Sequence, residues 1–160
     1  MTALPSGVYT IKNDGTGQAI GTSADKFFGS LPIQSTDDDL VRPDIVFNID
    51  LLGNGNYSIK VHGHPVVGIN GKVVALISPV MQSEWRIVPR NIYPGTLPVY
   101  TIEQIELGPP IHIPGTLGQG WVLKAPEAGS DVVVSTLIFT GPPFYPPEQL
   151  WVFGDARGVN

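Results

Sequence analysis

Three stretches of the chain begin alike: Gly7-Val8-Tyr9-Thr10-Ile11-Lys12, Asn56-Tyr57-Ser58-Ile59-Lys60 and Val99-Tyr100-Thr101-Ile102-Glu103. Their tyrosines stand 48 and 43 residues apart. Each stretch leads through short β-type runs to an aromatic-x-apolar closing strand: Phe47-Asn48-Ile49, Trp85-Arg86-Ile87 and Trp151-Val152-Phe153. A recurrence of this length marks one supersecondary unit repeated, here about four strands long. The repeats run approximately over 6–52, 53–93 and 94–155, inside a single domain of 160 residues.

In the first unit the sequence predicts strands near 7–12, 18–21, 31–35 and 45–50. In the second they fall near 55–61, 65–69, 73–77 and 84–88, with Asn70-Gly71 as a hairpin turn. The third reads 98–105, 119–124, 131–138 and 149–153, with a Pro- and Gly-rich insertion from Glu106 to Gly118. No window keeps a 3.6-residue apolar period over a helix length without Gly or Pro. Units too small to bury their own apolar faces must share one core, and closure also removes exposed strand edges. The expectation is an all-β protein, a β-trefoil of twelve strands in three pseudo-repeats: a six-stranded barrel capped by a hairpin triplet. The repeated Tyr/Ile and Trp/Phe positions become its core layers. A four-bladed propeller would need a fourth unit.

Composition agrees with a folded chain of many turns: 19 Gly and 16 Pro, yet 42% hydrophobic and 14% charged residues. There is no cysteine, so a disulfide framework is excluded. The formal charge of −5 without a Lys/Arg cluster gives no footprint for nucleic acid or an anionic membrane, and neither partner is expected. No apolar run approaches the roughly 20 residues that span a bilayer, and Met1 to Ser6 is not a secretion leader. A cytoplasmic monomer is expected, and the Asn56-Tyr57-Ser58 sequon is read as plain strand sequence.

Chemistry-bearing patterns are weak. His62-Gly63-His64 puts two imidazoles on one side of an extended chain, but only His112 remains as a third nitrogen ligand, so a hairpin turn is the preferred reading. Asp37-Asp38-Asp39 lacks the spaced ligands and distal Glu of a calcium loop. The run from Gly15 to Gly21 has one residue too many for a dinucleotide fingerprint and leads into a strand. With no nucleophile elbow and no cysteine, an enzyme is not expected, nor is a cofactor or a metal.

A rigid repetitive scaffold places function on its loops. Thr22 to Ser30 holds Lys26 beside Asp25 and two consecutive aromatics, Phe27 and Phe28. Exposed aromatics next to a cation have the composition of a binding hot spot. The competing reading is that Phe27 and Phe28 fold back over the barrel end. Lys124 and Arg90 are the second choices among the loop cations. Ser23, Asp25 or Asn13 could hold the loop through side-chain hydrogen bonds to the main chain.

The opening Gly7 to Asn13 segment, the Val99 to Glu103 strand, Gly120-Trp121-Val122 and Tyr145-Pro146-Pro147-Glu148-Gln149-Leu150-Trp151 together resemble the mushroom β-trefoil serine protease inhibitors of the cospin and cnispin type. The resemblance covers most of the chain and all three repeats. It implies a cytosolic fungal defence protein that inhibits a trypsin-like protease through one substrate-mimicking loop. That loop lies either between strands two and three or late, before the last strand. The late loop, Phe139 to Glu148, contains no Lys or Arg, whereas the early one contains Lys26. Phe27-Phe28 departs from the charged, arginine-containing loop of the family and opens an alternative, aromatic contact with a chymotrypsin-like enzyme. The more distant mycocypins, which occlude cysteine proteases with paired loops, supply another alternative. A fungal β-trefoil lectin is a third, because Gln149-Leu150-Trp151 matches the Gln-x-Trp signature of ricin-type lectins. The equivalent positions read Ser83-Glu84-Trp85 and Ile45-Val46-Phe47, so the match occurs in one unit of three.

Overall fold

The computed structural model describes residues 3–22, 29–37, 42–77, 82–90, 98–105, 116–139 and 145–157. Among them are twelve strands: β1 (Gly7–Asn13), β2 (Ala19–Thr22), β3 (Ser30–Thr36), β4 (Val46–Leu51), β5 (Tyr57–Val61), β6 (His64–Ile69), β7 (Lys72–Leu76), β8 (Trp85–Pro89), β9 (Tyr100–Gln104), β10 (Thr116–Leu123), β11 (Val132–Ile138) and β12 (Trp151–Asp155). The protein is all-β, and each expected strand is present with small shifts at its ends. Two shifts have identifiable causes. The β10–β11 register slips between Thr116 and Gln119, so a bulge carries β10 further back than expected. Gln149, expected in the last strand, lies in a 3-10 turn at Pro147–Gln149, where the fixed φ of proline starts the turn and delays β12 to Trp151.

All the strand pairings are antiparallel. β1 pairs with β4 and β12, β4 with β5, β5 with β8, β8 with β9, and β9 with β12, so these six pairings return to their start. The remaining strands form the hairpins β2–β3, β6–β7 and β10–β11, and β7 also joins β3 and β11. Two hairpin turns follow from their sequences. Asn70-Gly71 turns with φ of 52° and 76°, and His62-Gly63 with 53° and 73°. Positive φ at both central residues matches the twist of the flanking strands. His62 and His64 are therefore turn and strand-start residues; among the described residues no cluster of three metal-ligating side chains exists.

The core is built from the repeated positions. Tyr57, Ile59 and Val61 point inward from β5 and are buried, with Ser58 and Lys60 half-buried between them. Trp85, Trp121 and Trp151 meet edge to face, with ring centroids 5.4 Å and 6.2 Å apart. Trp85 Nε1–H donates to the Val66 carbonyl at 2.9 Å and Trp151 Nε1–H to the Trp121 carbonyl at 3.1 Å, which orients two of the three indoles. Tyr57 donates its hydroxyl to the Leu4 carbonyl at 2.8 Å and ties the N-terminal stretch to the core.

Candidate functional site

Lys26, Asp25, Phe27 and Phe28, with Ser23, lie outside the described residues; the structure describes the feet of their loop. At one foot Thr22 is paired with Ile33 across the β2–β3 hairpin. At the other the Gly29 carbonyl accepts from the Ile77 N–H at 2.8 Å, and Ser30 pairs with Leu76 of β7. Six residues, 23–28, therefore connect two points fixed in the sheet.

Asn13 is spent elsewhere. It is buried, its Nδ2 donates to the carbonyls of Glu148 at 3.0 Å and Leu150 at 3.5 Å, and its Oδ1 accepts from the Gly15 N–H at 3.0 Å. These bonds fasten the β1–β2 turn to the segment entering β12.

The second-choice cations occupy contrasting positions. Arg90 has a side chain only 20% exposed; its Nη2 meets Glu103 Oε2 at 2.9 Å and its Nε donates to Thr101 Oγ1 at 3.2 Å. Thr101 in turn donates to the same Glu103 oxygen at 2.7 Å, and the guanidinium lies 5.4 Å from the Tyr145 ring centre. Glu103 is buried, so Arg90 neutralises a carboxylate taken out of water and its fork is committed inward. Composition gave no sign of this network; the available signal was an acidic residue, Glu103, at the end of a repeated strand start whose other copies carry Lys12 and Lys60.

Lys124 is exposed at the start of the β10–β11 connection, but Leu123 before it is buried and its own N–H donates to the Asp131 carbonyl at 3.1 Å. A substrate mimic pairs its main chain with the enzyme as an added strand, and here that main chain already belongs to a hairpin. Ser35 braces the same connection. Its main chain bonds to Ser130 and Gly129, and its hydroxyl donates to the Glu127 carbonyl and accepts from the Ser130 N–H.

At the feet of the late loop the Gln149 amide grips the Ile138 main chain. Ile138 N–H donates to Oε1 at 2.9 Å, and Nε2 donates to the Ile138 carbonyl at 2.8 Å. Phe139 and Tyr145 pack with ring centres 5.4 Å apart. Gln149 and Trp151 of the Gln-x-Trp signature are both buried, so neither presents a polar or aromatic surface to a sugar.

Residues 1–155 match the family described as Peptidase inhibitor I66. No curated protein matches the sequence. Among solved structures the chain is similar to a proteinase inhibitor from Coprinopsis cinerea, with a TM-score of 0.77 and 21% identity over 96% of this chain and 100% of that one. It is also similar to the Rhizoctonia solani agglutinin (0.66, 17% identity, covering 98% and 99%) and to a ricin B-like lectin from Macrolepiota procera (0.62, 13%, covering 98% and 100%). At these identities the structural likenesses establish a shared fold.

Proposed function

The chain belongs to the peptidase inhibitor I66 family, and from that premise we propose that it blocks a trypsin-like serine protease with the loop between β2 and β3. It is an inhibitor and not an enzyme. We read its strand pairing as a β-trefoil, with pseudo-repeats at approximately 6–52, 53–93 and 94–155. In the proposed mechanism Lys26 enters the primary specificity pocket, where its ammonium pairs with an acidic group while its stem is desolvated.

The observation that carries this reading is the anchoring of segment 23–28 at Thr22 and Gly29. A loop held at both feet loses less conformational freedom on docking, and each side chain spared that ordering saves about 0.5–1.5 kcal/mol. Because the chain has no cysteine, packing and hydrogen bonds do this holding. Among the other cations, Arg90 is committed to the buried Glu103 and is poorly suited to enter a specificity pocket.

The test is an inhibition panel of trypsin, chymotrypsin, papain and legumain with the intact protein and its Lys26→Ala variant. Trypsin inhibition is expected to weaken by about 30- to 4,000-fold in the variant, the cost of truncating a buried charged anchor. Unchanged trypsin inhibition would remove Lys26 from the contact. Selective inhibition of chymotrypsin, lost on changing Phe27 or Phe28, would move the primary contact to the aromatics.

A further inference from the structure

A recess of about 500 Å³ opens beside the foot of the 23–28 loop. Its lining includes Ser30, Pro32 and Gln34 of β3, Val74 and Lys72 of β7, and Ile69 at the end of β6. Ser30, Pro32 and Gln34 alternate along β3 and share one face of the sheet, so the recess runs about 13 Å away from the loop foot. Pro32 pairs with Val74, and Ile69 with Lys72, which makes the floor continuous across three strands. The far end is polar: Gln34 Nε2 donates to Asp131 Oδ1 at 2.9 Å, and Lys72 Nζ stands 3.6 Å from Asp131 Oδ2. All three hairpins meet there, since Asp131 adjoins β11. The recess thus has an apolar floor, a fixed polar end, and a near end that is the residue following Gly29.

We propose that this recess is a second contact surface for the same protease that the 23–28 loop engages, accepting an apolar side chain from the enzyme's surface. The proposal rests on the reading of the loop given above. Interface size is the argument for the occupant. A stable protease complex buries about 800 Å² on each partner and uses about 20–30 residues a side. Six residues fall short of the number that each side of such an interface uses, so the contact extends over the ground beside the loop's feet. The recess begins at one of those feet, is concave, and holds a half-buried Ile69 next to an exposed ammonium at Lys72. An apolar centre with a polar rim is the usual anatomy of such a contact.

The experiment measures binding of trypsin to the intact protein and to Ile69→Lys, Lys72→Glu and Lys26→Ala by surface-immobilised kinetics, with thermal unfolding of each variant. Ile69→Lys is expected to raise Kd about 10- to 30-fold, mainly through faster dissociation, the size expected for a contact near the hot-spot threshold. Should Ile69→Lys lower the unfolding midpoint, Lys72→Glu, at an exposed position, decides in its place: a raised Kd supports the proposal and an unchanged Kd overturns it. Loss of binding in Lys26→Ala with normal Kd in both recess variants overturns the recess and leaves the loop reading standing. Loss in the recess variants with none in Lys26→Ala keeps the recess as an interface and overturns the loop reading. If Phe28→Ala and Ile69→Lys destabilise the fold non-additively and leave Kd untouched, the recess houses the chain's own aromatic segment, and the proposal fails.

Discussion

Arg90 shows how a residue's chemistry is decided by its neighbours. As one of nine basic residues it reads as a loop cation available to a partner. In the fold it is the counter-ion of a buried Glu103, shared with Arg86 at 3.9 Å. Breaking an isolated buried pair costs about 3–5 kcal/mol; without Arg90, Glu103 keeps the distant Arg86 and the Thr101 hydroxyl, so the loss falls below that range. Arg90→Ala is therefore expected to lower the urea midpoint, and the same change in a Glu103→Gln background to cost much less. Equal losses in both backgrounds, measured as a double-mutant cycle, would show that Arg90 acts through packing and not through Glu103. Gln149 makes the same point without charge. Its place in a Gln-x-Trp triplet suggests a sugar contact, yet both ends of its amide are bonded to the Ile138 main chain.

At the scale of elements, two glycines report where neighbouring segments come closest, β2 against the 3-10 turn Pro43–Ile45 and β10 against β9. A Cβ on Gly21 of β2 would run into the Asp44 carbonyl and Ile45, and one on Gly120 of β10 into the Ile102 carbonyl and Leu137. Gly120→Ala is expected to cost about 1–3 kcal/mol by overpacking. Gly53→Ala, where nothing lies within 4 Å, should stay within about 0.5 kcal/mol. Similar unfolding midpoints for the two variants would contradict this close approach. Elements were the most legible level of the sequence. The twelve strands follow from alternation and turn chemistry, which act within a few residues, and Asn70-Gly71 fixes its turn by itself. The bulge in β10 was not legible, because a bulge is settled by the register of a partner strand; the 3-10 turn at Pro147–Gln149 did have a local signal in its prolines, which the strand alternation overrode. The candidate site was legible in part: the position of Lys26 between two strands is a sequence fact, whereas the bond between Gly29 and Ile77 joins segments 48 residues apart.

For the whole molecule, the tyrosines that open each repeat predict a response to pH. Burial pushes the phenols of Tyr57 and Tyr100 above the ordinary value of 10.0, and burial followed by the charge of Asp155 does the same to Tyr9. The folded state then holds these protons more tightly than the unfolded chain. Their contribution is fully present below pH 10 and is lost as pH rises through the folded values. The unfolding midpoint should fall as pH climbs past about 10, with part of the phenolate absorbance titrating late; ordinary titration of all five tyrosines in the native protein would refute the link. The sequence by itself determined the β class, the twelve strands found among the described residues, the threefold recurrence and the absence of disulfides, since these depend on local pattern and on composition. Only the tertiary structure decided which side chains are spent on holding the fold. Asn13 and Ser35 owe their roles to groups 135 and 95 residues away, Arg90 and Gln149 to groups on a nearby strand 11 to 13 residues away, and the recess beside the loop foot exists only where β3, β6, β7 and Asp131 converge. Burial and hydrogen bonding between distant residues are properties of the packed whole, and no single segment carries them.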